Sequence, residues 1–149
     1  MRKYFTPLIT GDVILEKQEK KSGVALVDFG ASVTGVSIYL GGVLRYYGAV
    51  PFGGRSITGD ISRECDIPWD LAENLKKAYG FCNPSKLQNL QDKMIMVNGS
   101  SASGCHQIYV KYLSRIIEAR MKEIGNAGLY EIEKSGFADS LTSGLVITG

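Results

Sequence analysis

The residues with the clearest chemistry in this 149-residue chain are Asp28-Phe29-Gly30-Ala31-Ser32-Val33-Thr34. A carboxylate is followed by a glycine two residues on and a hydroxyl four further, with small residues at Ala31, Ser32 and Gly35. Small residues let backbone N–H groups close around an anion. A single carboxylate beside such a loop suits magnesium, which keeps much of its water and bridges one or two carboxylates to phosphate oxygens. An ordinary hairpin turn that happens to contain an aspartate has the same pattern, and the motif alone leaves both readings open.

The flanking elements must position that carboxylate. Val24 to Val27 is an unbroken apolar run, as in a buried strand, and Asp28 ends it. From Val36 the pattern alternates, with Val36, Ile38 and Leu40 on one face and Ser37 and Tyr39 on the other. After Gly41-Gly42 a third strand runs from Val43 to Val50, where Arg45, Tyr46 and Tyr47 carry no assigned chemistry. Loops this short predict an antiparallel meander.

Upstream, Thr6-Pro7 opens a helix on which Ile9, Val13 and Ile14 share a face, and Glu16 to Lys21 is a solvated charged stretch. Downstream, Gly53-Gly54 with Ser56 and Thr58 leads into a helix whose inner face carries Ile57 and Ile61. Its N-terminus favours phosphate or ribose nearby, or is simply a cap. Pro68 to Tyr79 is a second helix, closed by Gly80, with Leu71, Leu75 and Ala78 inward. Glu73 and Lys76 lie one turn apart on it, the spacing of a solvated ion pair.

Phe81 to Asp92 reads as a loop, Met94 to Val97 as a short strand ended by Asn98-Gly99, and Ser100 to Gly104 as a second loop. Trp69, Met94 and Met96 are expected in the core, and His106 is a surface or capping residue beside a helix that starts near Gln107. Leu113, Ile117, Met121, Ile124, Gly128 and Ile132 keep one helical face in phase to Glu133. Gly125-Asn126-Ala127-Gly128 argues for a break, since two interior glycines cost about 2 kcal/mol relative to alanine. Ser135-Gly136 ends the helix, and Leu145 to Thr148 is a buried strand parallel to its neighbour.

Composition narrows the classes. Seventeen basic and 15 acidic residues give a net charge of +2, too little to indicate nucleic acid. Three separated cysteines and one histidine form no zinc or disulfide pattern, and reduced thiols are the default. No apolar run approaches the roughly 18 residues of a membrane span, and no signal segment opens the chain. No internal repeat is visible.

Five stretches in fixed order carry a resemblance: the Asp28 loop, Pro51 to Ile61, Ala72 to Gly80, Ile116 to Arg120 and Gly144 to Gly149. Together they resemble the second half of FtsA, a bacterial cell-division family of the actin-like ATPase superfamily, from about Pro7 to Gly149. The resemblance implies an α/β fold, a ribonuclease-H-like half-domain with an inserted α+β subdomain. Residues 1–56 and 128–149 would form the nucleotide-facing subdomain IIA, and 57–127 the partner-binding subdomain IIB. A continuous helix at this place in the family, with the unbroken apolar phase, favours one helix through Gly125.

ATP with magnesium is implied as the cofactor of the full-length protein, on Asp28 (through water), Gly30, Ser32, Thr34, Gly53, Gly54, Glu73, Lys76 and Gly149, with Glu73 and Lys76 facing adenosine. The implied partner is the C-terminal tail of the tubulin-like FtsZ, with Lys111, Arg115 and Lys122 as candidate contacts to its acidic groups. Self-association of the parent is implied as well. So is a cytoplasmic position at the inner face of the membrane at the division site, with the membrane reached only through a segment beyond Gly149. The chain stops directly after Leu145-Val146-Ile147, where a ligand loop is usual, so it is expected to be a piece of a longer protein.

The loop departs from the family's Asp-Ile-Gly-Gly-Gly-Thr-Thr-Asp. Ala31 and Ser32 replace glycines, Val33 replaces a threonine hydroxyl, and Gly35 stands at the aspartate. Weak or no ATPase activity is expected of the parent and none of this chain. The alternative is half of another actin-like ATPase, such as a sugar kinase, a chaperone ATPase or a pilus-assembly protein. With one carboxylate near the loop, phosphoryl transfer lacks a water-positioning residue.

Overall fold

The structure is a computed structural model that describes residues 6–83, 85, 93–98 and 105–149. It divides into two compact units, one of Met1–Gly53 with Ile124–Gly149, the other of Gly54–Glu123.

In the first unit, strands β1 (Val24–Phe29), β2 (Thr34–Leu40) and β3 (Val43–Val50) are antiparallel neighbours, and β6 (Leu145–Thr148) runs parallel to β1. They form a four-stranded sheet ordered β3-β2-β1-β6. Both faces of β1 are covered, which is why its apolar run is unbroken. Ala25 and Val27 pack with Val36, Ile38 and Ile132 on one face, while Val24 and Leu26 pack with Leu15 and Tyr39 on the other. Ser37 and Tyr39, on the opposite face of β2 from Val36 and Ile38, are therefore buried as well. Full burial of a side chain such as Leu26 or Ile38 is worth about 1.5–3 kcal/mol.

Two helices precede the sheet. In α1 (Thr6–Ile14) the only buried residue is Gly11, and Ile9, Val13 and Ile14 are exposed together with Leu8. The expected shared apolar face exists but packs on nothing described; the glycine that weakens the helix is its contact residue. In α2 (Lys17–Ser22) a capping box joins Glu16 and Glu19, with Glu16 N–H donating to Glu19 Oε2 at 2.7 Å.

β6 is also a correction. It is parallel to β1 as expected, but it is an edge strand, and Leu145 and Ile147 are exposed rather than buried.

The second unit contains α3 (Gly54–Glu64), α4 (Trp69–Tyr79), the hairpin β4 (Met94–Asn98) with β5 (Cys105–Tyr109), and the start of α5 (Val110–Lys134). Its core joins Ile57, Ile61, Ile67, Ala72, Leu75, Val97, Ile108, Leu113 and Ile117. On α4 Ala72 and Leu75 are buried and Leu71 packs, partly buried, against the same core, whereas Ala78, expected inward, is exposed. Trp69, Met94 and Met96 are exposed, not core.

The long helix starts at Val110, because Cys105–Tyr109 pairs with β4 as a strand. His106 thus lies on a strand rather than beside a helix start. From Val110 the helix is continuous to Lys134, through Gly125 and Gly128, and Gly136 takes a left-handed φ of 75° beyond its end. The expected loop at Ser100 to Gly104 and most of that at Phe81 to Asp92 lie outside the described residues.

Candidate functional site

In the first unit, the ends of three strands meet at glycines. The turn after β1 closes by Gly30 N–H donating to Val33 O at 3.1 Å, and a Cβ on Gly30 would stand 2.6 Å from that oxygen. A Cβ on Gly53, just after β3, would overlap Gly30 O and lie 2.8 Å from Ala31 O. Gly149, just after β6, has φ +139°, and a Cβ there would overlap Phe29 O. Backbone therefore approaches backbone at Gly30, Gly53 and Gly149, outside the carboxyl ends of the parallel pair β1 and β6, where open α/β sheets place ligands.

Ala31 and Ser32 have no positive φ, so replacing glycine at these positions costs no backbone strain. Ser32 and Val33 are exposed. Thr34 is fully buried, and its Oγ1 donates to Phe52 O at 2.8 Å. Its hydroxyl stitches Phe52-Gly53 onto the turn.

The Asp28 carboxylate lines a cavity of about 150 Å³ with Thr6, Pro7, Thr10, Ser37 and Tyr47. The register explains this grouping, since Leu26 pairs with Ser37, Asp28 with Gly35, and Ser37 with Tyr47. Among the described residues no hydrogen bond or ion pair reaches that carboxylate. The described residues also hold no group of three or more His, Cys, Asp or Glu that could cage a metal. One free carboxylate among hydroxyls fits a magnesium ion held through water, not one stripped of it.

In the second unit, Gly54, Glu73 and Lys76 come together with a residue that sequence reasoning did not single out as their partner, Thr58. Lys76 Nζ donates to Gly54 O at 3.0 Å, Thr58 Oγ1 at 2.8 Å and Glu73 Oε2 at 2.7 Å, which uses all three ammonium hydrogens. Thr58 Oγ1 also lies 2.5 Å from Glu73 Oε2. The pair is not the solvated one its spacing suggested, for the Lys76 and Glu73 side chains are only 20% and 28% exposed. Hydrogen bonds from Lys76 first, then from Thr58, pull the Glu73 carboxyl down to about 2.

The same unit has an open cleft of about 400 Å³ between α3 and α5. Asp60, Arg63 and Glu64 of α3 line it together with Tyr112, Arg115, Ile116, Ala119, Arg120 and Glu123 of α5. Arg120 grips Asp60 with two hydrogen bonds, Nε to Oδ2 at 2.6 Å and Nη2 to Oδ1 at 2.9 Å, a pairing that raises the arginine's pKa further. These partners are 60 residues apart, so no local signal announced them. Of the three candidate partner contacts, Arg115 lines the cleft, Lys122 is exposed and paired with Glu118 at 2.9 Å, and Lys111 is half-buried outside it.

Comparison with known proteins follows the same lines. A family profile described as "Cell division protein FtsA" matches residues 25–145. FtsA of Neisseria meningitidis serogroup B is 37% identical over 146 residues, covering 96% of this chain and 34% of the relative. FtsA of Borreliella burgdorferi is 33% identical over 135 residues (91% and 32%), and that of Bacillus subtilis 32% over 143 (96% and 32%). The chain thus spans about a third of the length of the curated relatives it matches.

Among solved structures, MreB5 of Spiroplasma citri bound to ADP superposes with a TM-score of 0.69 at 18% identity, over 86% of this chain and 42% of that one. An archaeal actin homologue gives 0.56 at 15% identity, over 93% and 38%. These likenesses establish a mixed α/β fold of the actin-like ATPase type.

Proposed function

We propose that this chain, which belongs to the FtsA family of cell-division proteins, is the part of an FtsA-type adaptor that receives the FtsZ C-terminal tail and so links the division ring to the membrane. The Gly54–Glu123 unit takes the role of partner-binding subdomain IIB, and the other unit that of nucleotide-facing subdomain IIA. The observation that carries the partner reading is the cleft between α3 and α5. It offers an apolar strip, Ile116 and Ala119, beside Arg115, which is exposed and has no partner among the described residues. A tail with apolar anchors and acidic groups matches that surface. Lys111 and Lys122 extend the basic face of α5 on either side.

The test is fluorescence anisotropy of a labelled FtsZ tail peptide. Reversing the charge with Arg115→Glu should weaken binding about tenfold, or about 1.4 kcal/mol. Arg45→Glu, on exposed β3 of the other unit, should leave it unchanged. Equal binding by wild type and Arg115→Glu removes this cleft from the reading.

For the full-length protein we infer ATP with magnesium as ligand. Asp28 would hold the ion through water, and the approach of Gly30, Ser32, Gly53 and Gly149 would cradle phosphate, with Thr34 fixing Gly53 in place. Gly54, Glu73 and Lys76 keep their proposed role toward adenosine. Support comes from the Asp28 cavity and from the MreB5 likenesses, solved with ADP and with AMPPNP. The ion would supply charge neutralisation for phosphate. This chain's residues bind and orient, and among the described residues no second carboxylate lines the Asp28 cavity to position an attacking water. Action at the inner face of the membrane at the division site follows from the adaptor role. Among the described residues no helix is long and apolar enough to cross a membrane.

A further inference from the structure

The cavity beside Asp28 has a roof that does not belong to the sheet: Thr6, Pro7 and Thr10, from the first turns of α1. Among the described residues, three contacts of this helix converge on Tyr39 of β2, which is only 2% exposed. Its hydroxyl donates to Pro7 O at 2.8 Å. One turn on, Gly11 lies against the same ring, so close that a Cβ there would overlap the Tyr39 hydroxyl oxygen. Lys20 of α2 stands 5.6 Å above the ring centroid and pairs with Asp12 of α1 at 2.7 Å. Nothing else in the helix is buried. A nine-residue helix is marginal without tertiary contacts.

We propose that Tyr39 is a positioning residue for the Asp28 cavity, a latch that sets α1 over the carboxylate through the Pro7 carbonyl and the Gly11 contact. For its functional consequence the latch rests on the nucleotide reading above; as a device of the fold it does not. Tyr39 fixes where the Thr6 and Thr10 hydroxyls stand relative to Asp28, and so shapes the space open to a hydrated cation. Gly11 is glycine because any side chain would lift the helix from the ring.

Two variants of the whole chain test this by NMR. Tyr39→Phe keeps the ring and removes only the donor; Gly11→Ala pushes the helix away. In both, amides of α1 should exchange with solvent about fivefold faster or more, the effect of one net hydrogen bond. Amide shifts should move at Asp28, Val33, Ser37 and Tyr47 while Ile108 and Leu113 stay fixed. With Mn²⁺–ADP as probe, the concentration that half-broadens Gly30 and Val33 should rise about fivefold in Tyr39→Phe. Ile61→Val, a core loss in the other unit, should not change it.

Unchanged α1 exchange or unmoved cavity amides in Tyr39→Phe would overturn the latch, as would faster exchange with unaltered Mn²⁺–ADP broadening. If the wild-type chain shows no broadening at all, the nucleotide reading fails instead. The exchange and shift results then decide the latch alone.

Discussion

Replacing Lys76 with methionine keeps the length of the side chain and removes the donor at the centre of the second unit's polar cluster. Three acceptors lose their ammonium: Gly54 O, Thr58 Oγ1 and Glu73 Oε2. Glu73 keeps Thr58, and Lys77 at 3.3 Å. Taking the Glu73 carboxyl from 4.5 to about 2 sets a ceiling of about 3 kcal/mol at about 1.4 kcal/mol per pH unit. The side chain is 28% exposed, and solvent screening reduces the expected loss to about 1–2 kcal/mol.

The sign follows from the depressed carboxyl. Its stabilisation is complete above the ordinary 4.5 and fades as pH falls towards about 2. Lys76 is the largest cause of the depression, so the gap between wild type and Lys76→Met should be full at neutral pH and clearly smaller at about pH 3. Urea unfolding at low salt at both pH values measures it, since guanidinium would itself screen the pair. A gap that is the same at both pH values, or absent at neutral pH, refutes the assignment of the depression to Lys76.

Three further outcomes can be checked by the same unfolding assay. Gly125→Ala should stabilise by about 1 kcal/mol, because the glycine sits inside a continuous helix and a Cβ would meet nothing within 4 Å. Arg120→Ala should cost about 2–3 kcal/mol, because it leaves the Asp60 carboxylate, 14% exposed, with Arg63 at 3.7 Å as its one remaining cation among the described residues. Gly53→Ala should cost more than about 2 kcal/mol, because the added carbon would meet the backbone of Gly30 and Ala31, which cannot rotate away.

Local chemistry made much of this molecule readable. The meander followed from a run, an alternation and two short turns; for the long helix the apolar phase left a break at Gly125 open, and the family resemblance together with that phase favoured one helix. A Cβ at either Gly125 or Gly128 would find open space, so these residues weaken the helix without being required by packing. What sequence missed depends on neighbours distant in the chain. Ile9, Val13, Leu145 and Ile147 have the composition of core residues, yet nothing described covers them. Thr58 became the hub of the Lys76 cluster only once α4 packed on α3, and Asp60 found Arg120 across 60 residues. β5 was hidden because five residues without a strong alternation look like the first turn of the helix they precede. At Asp28 the glycine pattern pointed to the loop, but the burial of Thr34 and its bond to Phe52 O needed coordinates.

The adaptor reading is tested most directly by titrating isotopically labelled chain with an FtsZ C-terminal tail peptide and following every amide. The account predicts saturable shifts that cluster in residues 54–123, largest around Arg115, Ile116 and Ala119, at micromolar to millimolar peptide. A folded chain with no shifts, or with shifts confined to the sheet unit, would contradict it.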